Sequence, residues 1–175
     1  MSITVPWARP HFGPEEISLL LETANSGWMS QGPRVRELEK VVASLLETQD
    51  CLAMSSGTAA LDVGLKVLNV EAGDEVLVPA FAYIATLNSV LYQGADPVFV
   101  DVDPTTLTMD PEDARQKITN KTKALIAIDY AGHAADWEGL GQLCREEGLA
   151  AIEDAAPSFG GKWRGKFCGT LTDFG

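Results

Sequence analysis

The chain has 175 residues, 46 % hydrophobic and 22 % charged, the profile of one globular domain able to bury a sizeable core. Thirteen Lys and Arg against 25 Asp and Glu leave a formal charge of −12, a field that repels phosphate backbones and anionic membrane surfaces, so neither nucleic acid nor membrane is an expected partner. Apolar residues recur at helical spacing from Glu15 to Asn25, with Pro14 near the start and Gly27 past the end. The loop SGWMSQGP follows over 26–33, and Arg34–Glu47 carries Val35, Leu38, Val41, Val42, Leu45 and Leu46 on one face of a second helix. Short apolar runs then alternate with helical patterns. Strands are predicted at Cys51–Met54, Glu75–Val78, Pro97–Asp101, Ala124–Ile128 and Leu149–Glu153, and helices at Thr58–Leu68, Ala85–Tyr92, Pro111–Lys117 and Trp137–Glu147. The uncharged stretch Val76–Ala95 has the length of a membrane span, but Pro79, Thr86, Asn88, Ser89 and Gln93 interrupt it, and a strand followed by a buried helix accounts for it better.

Strands rich in Val, Ile, Leu and Ala without polar alternation are buried on both faces. The predicted architecture is therefore α/β, a mostly parallel sheet covered by helices on both faces. The N-terminal MSITVPWARPHFG has no apolar core of a signal peptide. Cys51, Cys144 and Cys168 are odd in number and widely spaced, with only His11 and His133 to join them, so the sequence offers neither a zinc motif nor a disulfide framework. A reducing, cytoplasmic setting and no metal are expected.

In doubly wound sheets ligands gather at the carboxyl ends of the strands. Ser55-Ser56-Gly57-Thr58-Ala59-Ala60-Leu61 follows a predicted strand and opens a helix. Free N–H groups and the positive helix end would hold an anion there, Gly57 would admit it closely, and the hydroxyls could add donors. The same residues would equally cap an ordinary strand–turn–helix. Glu153-Asp154 close an apolar strand, where an unpaired charge is costly; a carboxylate there needs a cation, such as a ring nitrogen, or a capping role. Pro79-Ala80-Phe81-Ala82-Tyr83 could present Phe81 or Tyr83 to a flat heterocycle, or place them in the core. Gly139-Leu140-Gly141 lies inside a helical pattern, which is no dinucleotide fingerprint, and two histidines support no nucleophilic triad.

Taken in order, SGWMSQGP (26–33), SSGTAALDVGL (55–65), GDEVLVPAFAYIATLNSVLYQGADPVFVDVDPTTLTMDP (73–111), TKALIAIDYAGHAADW (122–137) and GLAAIEDAAPSFGGKWRGKFCGTLTDFG (148–175) resemble the DegT/StrS-type sugar-nucleotide aminotransferases. These are pyridoxal phosphate (PLP) enzymes of the aspartate-aminotransferase fold. The resemblance implies an N-terminal segment over 1–48 with a substrate-side loop (Trp28, Ser30, Gln31) and a PLP-binding large domain over 49–175. It implies that Gly57 and Thr58 hold the cofactor phosphate, Tyr83 stacks on the ring, Asp154 pairs with the ring nitrogen, and Ala156 packs on the opposite ring face. It further implies a homodimer that transfers an amino group from a glutamate-like donor to a nucleotide-linked keto-sugar, in polysaccharide or antibiotic sugar biosynthesis. A sugar dehydratase with the same cofactor, or a non-catalytic cofactor- or phosphate-binding module, are the alternatives.

Two departures stand out. Where the family usually carries Gln or His three residues after the Asp, this chain has Pro157, which cannot donate a hydrogen bond. The family's Schiff-base Lys falls beyond Gly175, and Lys162 and Lys166 match no catalytic position. The resemblance thus implies an N-terminal portion, inactive in transamination by itself.

Overall fold

The computed structural model describes residues 9–175. The first eight residues of the predicted 1–48 segment lie outside the described residues. Helix α1 (Pro14–Ser26) starts at a proline, with the Glu16 carboxylate accepting from the Gly13 amide, and stops at Gly27 in the left-handed region (φ 73°). Helix α2 (Pro33–Leu45) follows; Arg34 ties it to α1 by an ion pair with Glu22 and pairs within α2 with Glu37. Neither helix buries a residue fully.

Helix α3 (Gly57–Val67) leads into β1 (Glu75–Pro79), then α4 (Ile84–Tyr92), β2 (Asp96–Val100), α5 (Pro111–Lys117), β3 (Thr122–Ile128), α6 (Trp137–Glu147) and β4 (Ala150–Asp154). The four strands form one parallel sheet in the order β2-β1-β3-β4. A short hairpin, β5 (Lys162–Trp163) and β6 (Lys166–Phe167), closes the fold. Its turn places Arg164 (φ 48°) and Gly165 (φ 86°) both in the left-handed region, the conformation that matches strand twist in a two-residue hairpin.

Alternation along the strands splits the core in two. Val76, Val78, Ala124, Ile126 and Ile152 face α3 and α4, where they meet Leu61, Leu65 and Val90. Leu77, Leu125, Ala127 and Ala151 face α5 and α6, where they meet Ala114, Leu140 and Leu143. Both faces are covered, which is why the strands read as unbroken apolar runs. No helix among the described residues is long and apolar enough to cross a membrane; the uncharged stretch resolves into β1 and α4.

One expected strand does not form. Cys51–Met54 is extended, yet no other described strand runs beside it, and a strand without a ladder partner is not a strand. Leu52 is 78 % exposed, and the Ala53 amide donates to the Glu39 carboxylate at 3.0 Å instead.

Candidate active site

The chain leaves β1 toward α4 and β2 on one side, and leaves β3 toward α6 and β4 on the other. The crevice between the carboxyl ends of β1 and β3 is therefore the switch point where an open α/β sheet binds ligands. Phe81, after β1, and Tyr130, after β3, meet across it with ring centroids 4.7 Å apart at 52°.

On the α3 side of this crevice, Ser56 caps the helix: its hydroxyl accepts from the Ala59 amide at 3.1 Å and its carbonyl from the Ala60 amide. That leaves the amides of Gly57 and Thr58 as the first two N–H groups of α3, with no acceptor among the described residues. A Cβ built on Gly57 would meet no atom within 4 Å, so the approach to these donors is open. Capping and anion binding, posed as alternatives by the sequence, are compatible here because the cap occupies the third amide and not the first two.

Asp154 ends β4 on the same sheet face as Ile152, whose Cδ1 packs against Gly64 of α3. Its Oδ1 accepts from the Ala156 amide at 3.2 Å, and among the described residues no cation or other donor reaches the carboxylate. Burial raises its pKa, the Ala156 amide opposes that, and the negative charge of Asp129 adds to it. A desolvated carboxylate with a single neutral donor is short of a positive partner. Tyr83 caps α4 with its ring 76 % exposed, and Ala156 is exposed at the start of a 3₁₀ turn, Ala156–Ser158, that includes Pro157.

Gly57 and Thr58 thus open α3, while Tyr83, Asp154 and Ala156 follow or end strands of the sheet. Trp28, Ser30 and Gln31 lie exposed in the loop between α1 and α2, and among the described residues no hydrogen bond ties that loop to the strand ends. The Trp28 indole donates to the Gln31 carbonyl at 2.9 Å and lies so close over Gly32 that a Cβ there would fall 2.1 Å from its nitrogen.

Sequence reading missed a buried polar group behind the strand ends. Asp129, fully buried, accepts from the Ala135 amide (2.9 Å), the Trp137 indole nitrogen (3.0 Å) and the Ser158 hydroxyl (3.1 Å). Glu153 and Cys168 pack beside it, with one oxygen of each acid and the sulfur within 4.8 Å of one another. A charged residue closing the apolar run Ala124–Ile128 was the available signal, the same one that marked Glu153-Asp154.

The chain matches the DegT/DnrJ/EryC1/StrS aminotransferase family over residues 10–175. Among solved structures it is similar to the sugar aminotransferase Spr1654 from Streptococcus pneumoniae in its PLP form (TM-score 0.94, 32 % identity, 98 % of this chain and 47 % of that one). It is also similar to DesV from S. venezuelae (0.86, 35 %, 89 % and 42 %) and to NtdA from Bacillus subtilis with bound cofactor PMP (0.82, 34 %, 87 % and 35 %). The chain spans about half, or less, of the length of these structures. A parallel sheet that superposes on those enzymes, and a family match across all but the first nine residues, make this chain a member of the DegT/DnrJ/EryC1/StrS aminotransferase family.

Proposed function

We propose that the protein is a PLP-dependent sugar aminotransferase in which the chain from residue 49 onward supplies the phosphate and ring-nitrogen contacts. The observation that carries this is Asp154: a half-buried carboxylate at a strand end, with raised pKa, one neutral donor and no cation among the described residues. A protonated pyridine nitrogen supplies the missing positive charge, and the carboxylate in turn holds that nitrogen protonated. The unpaired amides of Gly57 and Thr58, on the same side of the sheet, suit the phosphate. Both ends of the cofactor therefore find chemistry that fits. Tyr83 offers a face for the ring, and Ala156 a small side chain opposite it. When bound, the cofactor supplies an electron sink for exchange of an amino group at a carbonyl carbon.

The substrates fitting this reading are a nucleotide-linked keto-sugar and a glutamate-like donor, with Trp28, Ser30 and Gln31 on the substrate side, in a cytoplasmic homodimer. Support for the sugar comes from Spr1654, described as a sugar aminotransferase, while NtdA, described with bound PMP, supports the cofactor. The test is made in the full-length protein. Asp154→Asn removes the charge but keeps the shape, so PLP affinity measured by absorbance titration falls at least about tenfold, or 1.4 kcal/mol, with the circular dichroism unchanged. Amino transfer from glutamate to a nucleotide keto-sugar falls with it. Unchanged PLP affinity in Asp154→Asn would falsify the assignment.

A further inference from the structure

Glu153 neighbours Asp154 in sequence but points to the other face of the sheet, toward the α5 and α6 side where Ala151 packs. It is only 2 % exposed. Oε2 accepts from the Leu171 amide at 2.9 Å, whereas Oε1 is buried with no hydrogen-bond partner at all. The groups facing it are the Asp129 carboxylate from the end of β3, the Cys168 thiol from the loop after β6, and the amides of Gly169 and Leu171. Ser158 and Trp137 complete the shell by donating to Asp129, and Asp154 lies across the strand. No Lys, Arg or His pairs with any of these acids among the described residues.

Two ionised carboxylates cannot share a dry site without a cation, because desolvation and mutual repulsion both disfavour the second charge. The hydrogen bonds say which acid keeps its charge. Asp129 collects three donors, all aimed at an anion. Glu153 has one oxygen satisfied and one orphaned, and a proton on the orphan turns an unsatisfied acceptor into a donor. Cys168, whose thiol burial pushes up to about 11, stays neutral and adds no charge.

We propose that Glu153 is held as a neutral carboxylic acid in mildly acidic solution, donating from Oε1 to Asp129, so that the pair there holds one proton and one negative charge. Glu153 is then a positioning residue. It fixes the end of β4 from behind while Asp154 is presented to the crevice. This goes beyond the cofactor reading and does not depend on it, since the proton lies between two buried side chains whether or not a cofactor binds. The Glu153 pKa is raised to about 7, by burial first and by Asp129 as well, against the opposing amides of Gly169 and Leu171.

The sign of the pH effect follows. The folded state holds the Glu153 proton more tightly than the unfolded chain, where a Glu titrates near about 4.3. Stability is full below that value and is lost as pH rises toward about 7. In the full-length protein without cofactor, the melting temperature of the wild type therefore falls across this window by roughly 5 °C relative to Glu153→Gln. The amide of that variant donates to Asp129 without titrating, so its profile is flatter and it melts higher at pH 8. Glu153→Ala, which has no donor, is destabilised at every pH. An infrared carbonyl band of a protonated carboxyl at pH 6, surviving Asp154→Asn, reads the same proton without any change at Glu153. Absence of that band, or a Glu153→Gln profile as steep as the wild type, overturns the proposal. So does stabilisation of chelator-treated wild type, but not of Glu153→Gln, by Zn²⁺ or Mn²⁺, because a cation would then hold the pair.

Discussion

At Gly57 no protein atom stands where a side chain would go, and the backbone is in a conformation open to any residue. Packing among the described residues does not require a glycine here, which leaves it to the proposed anion site. Gly57→Ala is expected to leave the melting temperature unchanged or slightly higher, since Ala favours a helix start over Gly, while PLP affinity of the full-length protein drops roughly tenfold as the Cβ obstructs the anion. Parallel loss of stability and affinity would instead mark Gly57 as structural. Asp154 shows the opposite trade. Its raised pKa means that the cofactor-free protein is destabilised once pH rises above the carboxylate range, so Asp154→Asn should melt higher than wild type near pH 7 without PLP. With saturating PLP the order should reverse. Pro157 is exposed, and its neighbour Ser158 is tied to Asp129. Pro157→Gln restores the donor usual in the family and is expected to tighten PLP severalfold; no change would mean that the ring oxygen lies elsewhere. The local residues were legible because each sits beside its own signal in the chain, a Gly at a helix start or a charge after an apolar run. The Asp129 group was not, because residues 129, 137, 158 and 168 meet only through the fold.

Among the elements, the four strands of the parallel sheet and helices α3 to α6 were readable to within a few residues, as their apolar runs and caps are local features. Asp110 and Asp136 accept from the amides of Glu112 and Gly139 and set the starts of α5 and α6 where the sequence placed them. Strand pairing is not local. Cys51–Met54 has strand composition without a neighbour among the described residues, and the β5–β6 hairpin turns on Arg164-Gly165, a weaker signal than the usual Asn-Gly. The contact that seats α3 on the sheet can be tested. A Cβ on Gly64 would lie 3.2 Å from Ile152 Cδ1, so Gly64→Ala and Ile152→Val should couple. The Val variant alone costs about 1 kcal/mol, and it relieves the crowding, so the double variant is expected to be at least about 0.5 kcal/mol more stable than additivity allows. Additive denaturant midpoints would show that α3 shifts freely over β4.

For the whole molecule, charge and apolar surface point in different directions. A net charge of −12 keeps the chain soluble. Yet Ile17, Leu20, Leu21, Leu38, Val41 and Leu45 on the two N-terminal helices are all at least half exposed, more clustered apolar surface than a solitary domain usually shows. The proposed homodimer gives that surface somewhere to go. Sedimentation of the full-length protein at roughly ten micromolar should give a dimer, and a clean monomer at that concentration argues against it.

The strand order has a consequence for how the protein is made. β1 and β2 lie side by side and can pair as soon as residue 100 has left the ribosome, but the crevice needs β3, and its carboxylate arrives only with residue 154. The pairing of Glu75 with Thr122 closes a loop of more than forty residues, a slow step relative to the local helices. A ligand held between α3 and Asp154 can therefore reward only a nearly complete domain. Every earlier stage of folding on the ribosome has to stand on the apolar layers alone, and PLP added during translation should raise the yield of chains longer than about 154 residues and leave shorter nascent chains as protease-sensitive as before.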